Sequence, residues 1–348
     1  GDHLARLSSA FAAGNPPDTF LINYREYAQF VARGALQPVG PGLEQRGLKL
    51  GDYYQQPVEA FTYRGALQCM PQNVSSLVVY YNPAVFSARG VPAPAAGWTW
   101  NDFADTARRL SGGDVHGLGV EPTLVRLAPF VWANGGEIVD DPAKPTRFTL
   151  DTPAARGAIE FLAGLIRDPK VVPDLPQQEA QDLETRFAAG KLGMYLGSRR
   201  DTPKFREVSG LKFAVAPLPV GKRQATLLHS DAYCVAAEAP NADAALDFIR
   251  YAMDEQGQRL AALSGRTVPS LKSVADSPVF LDPARPPAGS QTFLDGIPHM
   301  HRTPVMPAWP EIEDIADEEL TQLFYARKFD VDAALRELDR RTRPLLSR

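Results

Sequence analysis

Three groupings in the sequence hold residue types that make or break bonds, and none has the spacing such chemistry needs. His229-Ser230-Asp231 contains the members of a nucleophilic triad. Triad groups converge from separate parts of a fold, with the nucleophile on a tight strand-to-helix elbow, and three chain neighbours do not do this. His299 and His301 sit two apart on a loop without a third ligand, so no metal is expected. Glu121, Glu137, Asp140 and Asp141 are carboxylates, but no motif pairs two of them as the acid and base of glycoside hydrolysis. Cys69 and Cys234 fit no CxxC-type metal spacing. They form either one disulfide, in an exported protein, or two buried thiols, and the second reading is preferred. No cofactor is expected.

The chemistry left to the polar and aromatic residues is hydrogen bonding and stacking, which bind a molecule without altering it. Asn23, Tyr24 and Arg25 follow a short apolar strand; Tyr24 offers a ring and Arg25 a forked donor. Gln72, Asn73, Ser75 and Ser76 lie just before a second strand. Arg126 and Trp132 share an apolar helix, where a tryptophan is more often core than site. Ser198, Arg199 and Arg200 follow a third strand, and Asp201 beside them offers a plain surface ion pair. His229, Ser230 and Asp231 precede a fourth strand. Gly265 and Arg266 lie in the loop after a helix, and Gly265 would permit close backbone approach. Trp309 stands in a Pro-rich loop outside any periodic stripe and is the preferred stacking platform. For each group the competing reading is ordinary turn or core chemistry.

These residues need elements to hold them. Thr19–Ile22, Leu77–Tyr81, Leu192–Leu196, Lys212–Ala216 and Ala232–Ala237 read as buried strands. Helical spacing appears over His3–Phe11, Tyr27–Ala35, Val125–Asn134 and Glu179–Ala189. Thr99 with Asp102 forms a capping signal ahead of Trp100–Leu110, and Thr152-Pro153 opens a helix to Ile166. Asn241 caps Ala242–Met253, Glu255–Ser264 follows, and Glu311–Phe324 and Val331–Arg343 close the chain. Strands alternating with helices predict an α/β architecture, in two open lobes.

Length and composition agree. The 348 residues suit about two domains. With 44% hydrophobic and 22% charged residues the chain can fold a full core. No apolar run approaches the ~18 residues of a membrane span. A net charge of −4 without a basic block argues against nucleic acid as a partner. The chain begins at Gly1 and shows no signal peptide, as a mature or a trimmed chain would, which says nothing against export.

Several segments together resemble a known family. A-A-G-N-P-P-D-T-F (Ala12–Phe20) and E-Y-A-Q-F-V-A-R-G-A-L-Q-P-V (Glu26–Val39) are similar to the extracellular solute-binding proteins of carbohydrate ABC importers, the maltose-binding-like group. So are V-V-Y-Y-N-P-A-V-F (Val78–Phe86), G-W-T-W-N-D-F (Gly97–Phe103) and W-A-N-G-G (Trp132–Gly136). F-A-A-G-K-L-G-M-Y-L-G (Phe187–Gly197), F-A-V-A-P-L-P (Phe213–Pro219), A-A-L-D-F-I (Ala244–Ile249) and P-A-W-P-E-I (Pro307–Ile312) continue the match in order. No segment is specific alone; their collinear run over almost the whole chain is.

The resemblance implies a two-lobed, type II periplasmic-binding-protein-like fold, its lobes joined by a hinge of crossing segments. It assigns residues 1–82 and 232–290 to one lobe, and 83–231 and 291–348 to the other, with a ligand cleft between them. Family members begin with a strand and helix some tens of residues earlier, so the first lobe's sheet is expected to lack a strand and a ligand-contacting loop. The implied role is capture of a sugar by lobe closure and delivery to membrane permease subunits, without catalysis. The implied setting is periplasmic or extracellular, with a lipid anchor as one form, and the protein is expected to be a monomer. Sugars present apolar faces and many hydroxyls, which match rings and fixed polar groups. The family often carries an aromatic near Ser198 or Arg199, and glycines near His229–Asp231, so this chain departs there. Arg199, Arg200, Arg266 and His229 leave open an anionic cargo such as glycerol phosphate or its diesters; an amino sugar is a further alternative, and a glycoside hydrolase a more distant one.

Overall fold

The structure, a computed structural model, describes residues 2–347. The chain divides into two compact units, each made of several stretches. The first comprises Gly1–Ser75, Leu228–Leu281 and Arg302–Pro310, and the second Ser76–Leu227, Asp282–His301 and Glu311–Arg348. These limits differ from the expected ones in physical detail. The strand Val78–Tyr81 joins the second unit because it pairs with Leu192–Gly197 on one side and Ala214–Ala216 on the other. Residues 282–290 also join it, through the bond from the Val215 amide to the Ala288 carbonyl. Conversely, Arg302–Pro310 returns to the first unit, where Thr303 meets Tyr24.

The first unit is organised around the strand Asp231–Ala236. It pairs antiparallel with Thr19–Asn23, Leu36–Gln37 and Cys69–Pro71. Phe20 and Ile22 point inward, while Asn23 ends the strand and caps the helix Tyr24–Ala32 by accepting from the Arg25 amide. That cap starts the helix three residues earlier than its hydrophobic spacing indicates. Cys69 and Cys234 are register partners on adjacent strands and form a disulfide, with Cα atoms 4.3 Å apart. The expectation of two free thiols is therefore overturned. Its cause is that the three-residue strand Cys69–Pro71 is too short to carry a signal of its own, so the sequence hides the pairing.

The second unit holds a sheet in the order Ala214–Ala216, Val78–Tyr81, Leu192–Gly197, His116–Gly119. Only the last pair is parallel. The Thr99 and Asp102 capping box is formed in full, each side chain bonding the other's backbone amide. Around that helix Trp100 stacks on Phe161 at 4.5 Å, with Phe103 and Phe130 nearby. Elsewhere in this unit Tyr80, Phe187 and Phe205 pack together.

Other elements differ from expectation as well. Glu179–Ala189 is not one helix but two, Leu175–Ala180 and Leu183–Ala188. Gln181 is extended and Asp182 caps the second by accepting from the Thr185 amide at 2.6 Å. His116–Gly119 is a strand that its H-G-L-G sequence, with two weak strand formers, did not announce. Trp309 lies not in a loop but at the first position of the helix Trp309–Tyr325, followed by a proline suited to a helix start.

Candidate functional site

In the first unit, polar side chains gather where Thr19–Asn23 and Asp231–Ala236 run side by side, with Asn23 opposite Asp231. Asn23 Nδ2 donates to Asp231 Oδ1 at 3.0 Å, while Asn23 Oδ1 accepts from the Arg25 amide and Nε. Asn73 donates to Asp231 Oδ2 at 3.4 Å and accepts from the Asp231 amide at 3.0 Å. Ser230 is buried and donates to the Asn73 carbonyl at 2.7 Å. Two amides thus fix the partly exposed Asp231 carboxylate. Burial raises the Glu26 carboxyl pKa, with Asp231 adding to the rise and Arg25 opposing it.

Other expected residues of this unit are placed differently. Tyr24 is fully buried, and its hydroxyl meets Thr303 Oγ1 at 3.1 Å. Trp309 is also fully buried. His229 is partly buried at the end of the strand Thr226–His229. Gly265 has φ +77° and its amide bonds the Ala262 carbonyl, so it ends the helix Glu255–Leu263, and Arg266 beside it is exposed. Ser75 is buried, and its hydroxyl makes no hydrogen bond among the described residues.

In the second unit the carboxyl ends of the parallel strands His116–Gly119 and Leu192–Gly197 lead to the polar residues. This is the end at which open α/β sheets take ligands. After the first strand come Glu121, Thr123 and Arg126. The Arg126 guanidinium is buried and pairs with the exposed Glu121 carboxylate at 3.1 Å. Arg126 Nε and Thr123 Oγ1 are buried and make no hydrogen bond among the described residues. After the second strand, the Ser198 amide donates to Asp201 Oδ2 at 3.1 Å and Tyr195 donates to the same oxygen at 3.3 Å. Burial, and then Glu184, raise the Asp201 carboxyl pKa; Arg200 and Arg126 oppose the rise. Burial likewise holds the Tyr195 phenol far above its usual range. Ser76 is buried with a hydroxyl that finds no partner among the described residues.

Arg199 and Trp132 are committed inside this unit. Arg199 is 1% exposed, donates to Ser290 Oγ at 3.1 Å and lies over the Phe293 ring. Burial pushes its pKa down to about 10, with Arg206 adding to the shift. Trp132 is buried and stacks on His301 at 4.8 Å and 14°. Arg200 is exposed and pairs with Glu184 and Asp201.

From the sequence Glu121 reads only as a hydrolytic carboxylate, and Thr123 carries no expectation. The signal was the polar E-P-T run, masked because the strand before it is glycine-rich. The other carboxylates considered there are held by local structure. Glu137 pairs with Arg223 at 3.3 Å, and Asp140 accepts from the Thr146 side chain and from the amides of Asp141 and Thr146.

The sequence matches the family described as bacterial extracellular solute-binding protein over residues 1–287. The chain belongs to that family. This solute-binding protein is 25% identical over 342 residues to a putative binding protein of Brucella abortus, covering 96% of this chain and 80% of the relative. Its fold is similar to that of the ABC substrate-binding protein Lmo0181 of Listeria monocytogenes in complex with cycloalternan, with a TM-score of 0.91 and 23% identity over 99% of this chain and 89% of that one. It is also similar to UgpB of Mycobacterium tuberculosis in complex with glycerophosphocholine, with a TM-score of 0.85 and 21% identity over 99% and 87% of the two chains. The fold of this solute-binding protein is thus the α/β, type II periplasmic-binding-protein fold expected. No helix among the described residues is long and apolar enough to cross a membrane.

Proposed function

We propose that this chain is the substrate-binding component of an ABC importer and that its cargo is an uncharged carbohydrate, bound and passed on unchanged to permease subunits. One observation carries the choice of cargo. Buried hydroxyls and one guanidinium N–H lack partners among the described residues: Ser75, Ser76, Thr123 and Arg126 Nε. Buried polar groups demand partners, and a polyol supplies donors and acceptors together. Charge supports the same reading. Arg126 is already neutralised by Glu121, and Asp231 is a fixed acceptor, so a phosphate would meet carboxylates. Binding without turnover fits carboxylates that serve turns and ion pairs. The Cys69–Cys234 disulfide fits a periplasmic or extracellular protein, and a lipid anchor and a monomeric state belong to the same proposal.

Glycerophosphodiester binding is the second reading, favoured by the likeness to UgpB of Mycobacterium tuberculosis. A thermal-shift panel separates the two, because ligand stabilises by RT ln(1 + [L]/Kd). Neutral oligosaccharides are expected to raise the melting temperature, and glycerophosphocholine to leave it unchanged. A shift with glycerophosphocholine alone overturns the carbohydrate reading.

A further inference from the structure

The second unit carries a cavity of about 920 Å³ at the edge of its sheet opposite to Glu121 and Ser198. His116 and Lys191 line it, at the amino-terminal starts of the two parallel strands. From His116 to Glu121 the chain advances five residues, roughly 16 Å at strand rise, so the cavity is separate from the candidate cargo site.

Its lining is chemically uneven. Arg186, Lys170 and Lys191 contribute cations, and none has a carboxylate partner among the described residues. Arg186 spends Nε on the Gln181 carbonyl at 3.1 Å and one Nη on the Gln177 carbonyl at 2.7 Å, which fixes its plane and leaves donors over. His116 Nδ1 is buried and makes no hydrogen bond among the described residues. Burial, and then Arg186, lower the pKa of this imidazole, so it is neutral at pH 7 and one ring nitrogen is an acceptor. The nearby Pro169 carbonyl opposes that fall. Asp114 and Asp168 complete the rim as further acceptors.

Cations without counterions call for an anion. A buried acceptor and rim carboxylates call for hydroxyl hydrogens. The volume is far larger than a bare oxyanion needs. We propose that this cavity is a second binding site, for a small polyhydroxylated anion, either a sugar phosphate or a sugar acid, recognised by Lys170, Arg186 and Lys191 at its charged end and by His116 at a hydroxyl.

The test is calorimetric titration of the full chain with glucose 6-phosphate, gluconate, glucose and inorganic phosphate at constant ionic strength. One or both acidic sugars are expected to bind saturably, at least tenfold tighter than glucose or phosphate alone, and which one binds identifies the acid group. The double variant Lys170→Gln/Lys191→Gln removes two exposed, unpaired charges and is expected to weaken that binding at least tenfold. The control Lys49→Gln/Lys144→Gln removes the same charge elsewhere and is expected to leave it intact. The proposal is overturned if neither acidic sugar binds below 10 mM, if both double variants weaken it equally, or if glucose or phosphate alone binds as well.

Discussion

Asn73 grips Asp231 at two points, donating to its carboxylate at 3.4 Å and accepting from its backbone amide at 3.0 Å. The contact joins the chain before one crossing between units to the chain after another, and it fixes the one carboxylate that the first unit's polar cluster presents. Asn73→Ala is expected to weaken carbohydrate binding about tenfold or more and to cost about 1–3 kcal/mol of stability. Calorimetry with the saccharide found in the panel, together with urea unfolding, measures both. Unchanged affinity in a folded variant would make the cluster scaffold alone.

The disulfide closes a loop of 165 residues. Cross-links of long loops restrict the unfolded chain, a contribution of about 2–5 kcal/mol. Reduction, or Cys69→Ser/Cys234→Ser, is therefore expected to lower the melting temperature by several degrees. Scanning calorimetry with and without reductant checks it; coincident transitions would show that the link adds nothing.

Trp309 is fully buried at the start of its helix. Trp309→Ala is expected to cost about 3–5 kcal/mol through the cavity it leaves, and Trp309→Phe less. The discriminating result is a variant with wild-type unfolding but lost saccharide binding, which would restore the stacking platform read from the sequence.

Burial, with Arg223 and His299 adding, pushes the His301 pKa down to about 4. The folded state thus favours the neutral ring, and the unfolded state binds the extra proton between about pH 6.5 and 4. This contribution to stability is complete above pH 6.5 and is lost as pH falls toward 4. His301→Gln is expected to flatten that part of the stability profile. Parallel acid titrations followed by circular dichroism would refute the idea if both proteins lose stability equally over this window.

Much of the architecture was readable because local signals agreed with the tertiary result. Thr99-Trp100-Asn101-Asp102 formed its capping box, and Thr152-Pro153 opened its helix. The failures share a cause: the deciding contact is remote in sequence. Cys69 finds Cys234 only because both strands join one sheet, and His116–Gly119 is a strand only because Leu192–Gly197 lies beside it. At the candidate site, strand ends pointed to Asn23, Asn73 and Asp231, which the fold brings together. Residue type could not separate Arg199, sealed over Phe293, from Arg126, whose Nε lacks a partner. Both are arginines near strand ends, and only packing tells them apart.

The strand Thr19–Asn23 pairs with residues 231–235, so its register partner emerges from the ribosome some two hundred residues later. A nascent or translocating chain must therefore complete most of the second unit while the first still lacks its central strand. Until then an apolar hairpin-less edge is open to wrong pairing. Biogenesis of this protein thus imposes an order, in which the half begun first waits for its central strand until most of the other half has been made.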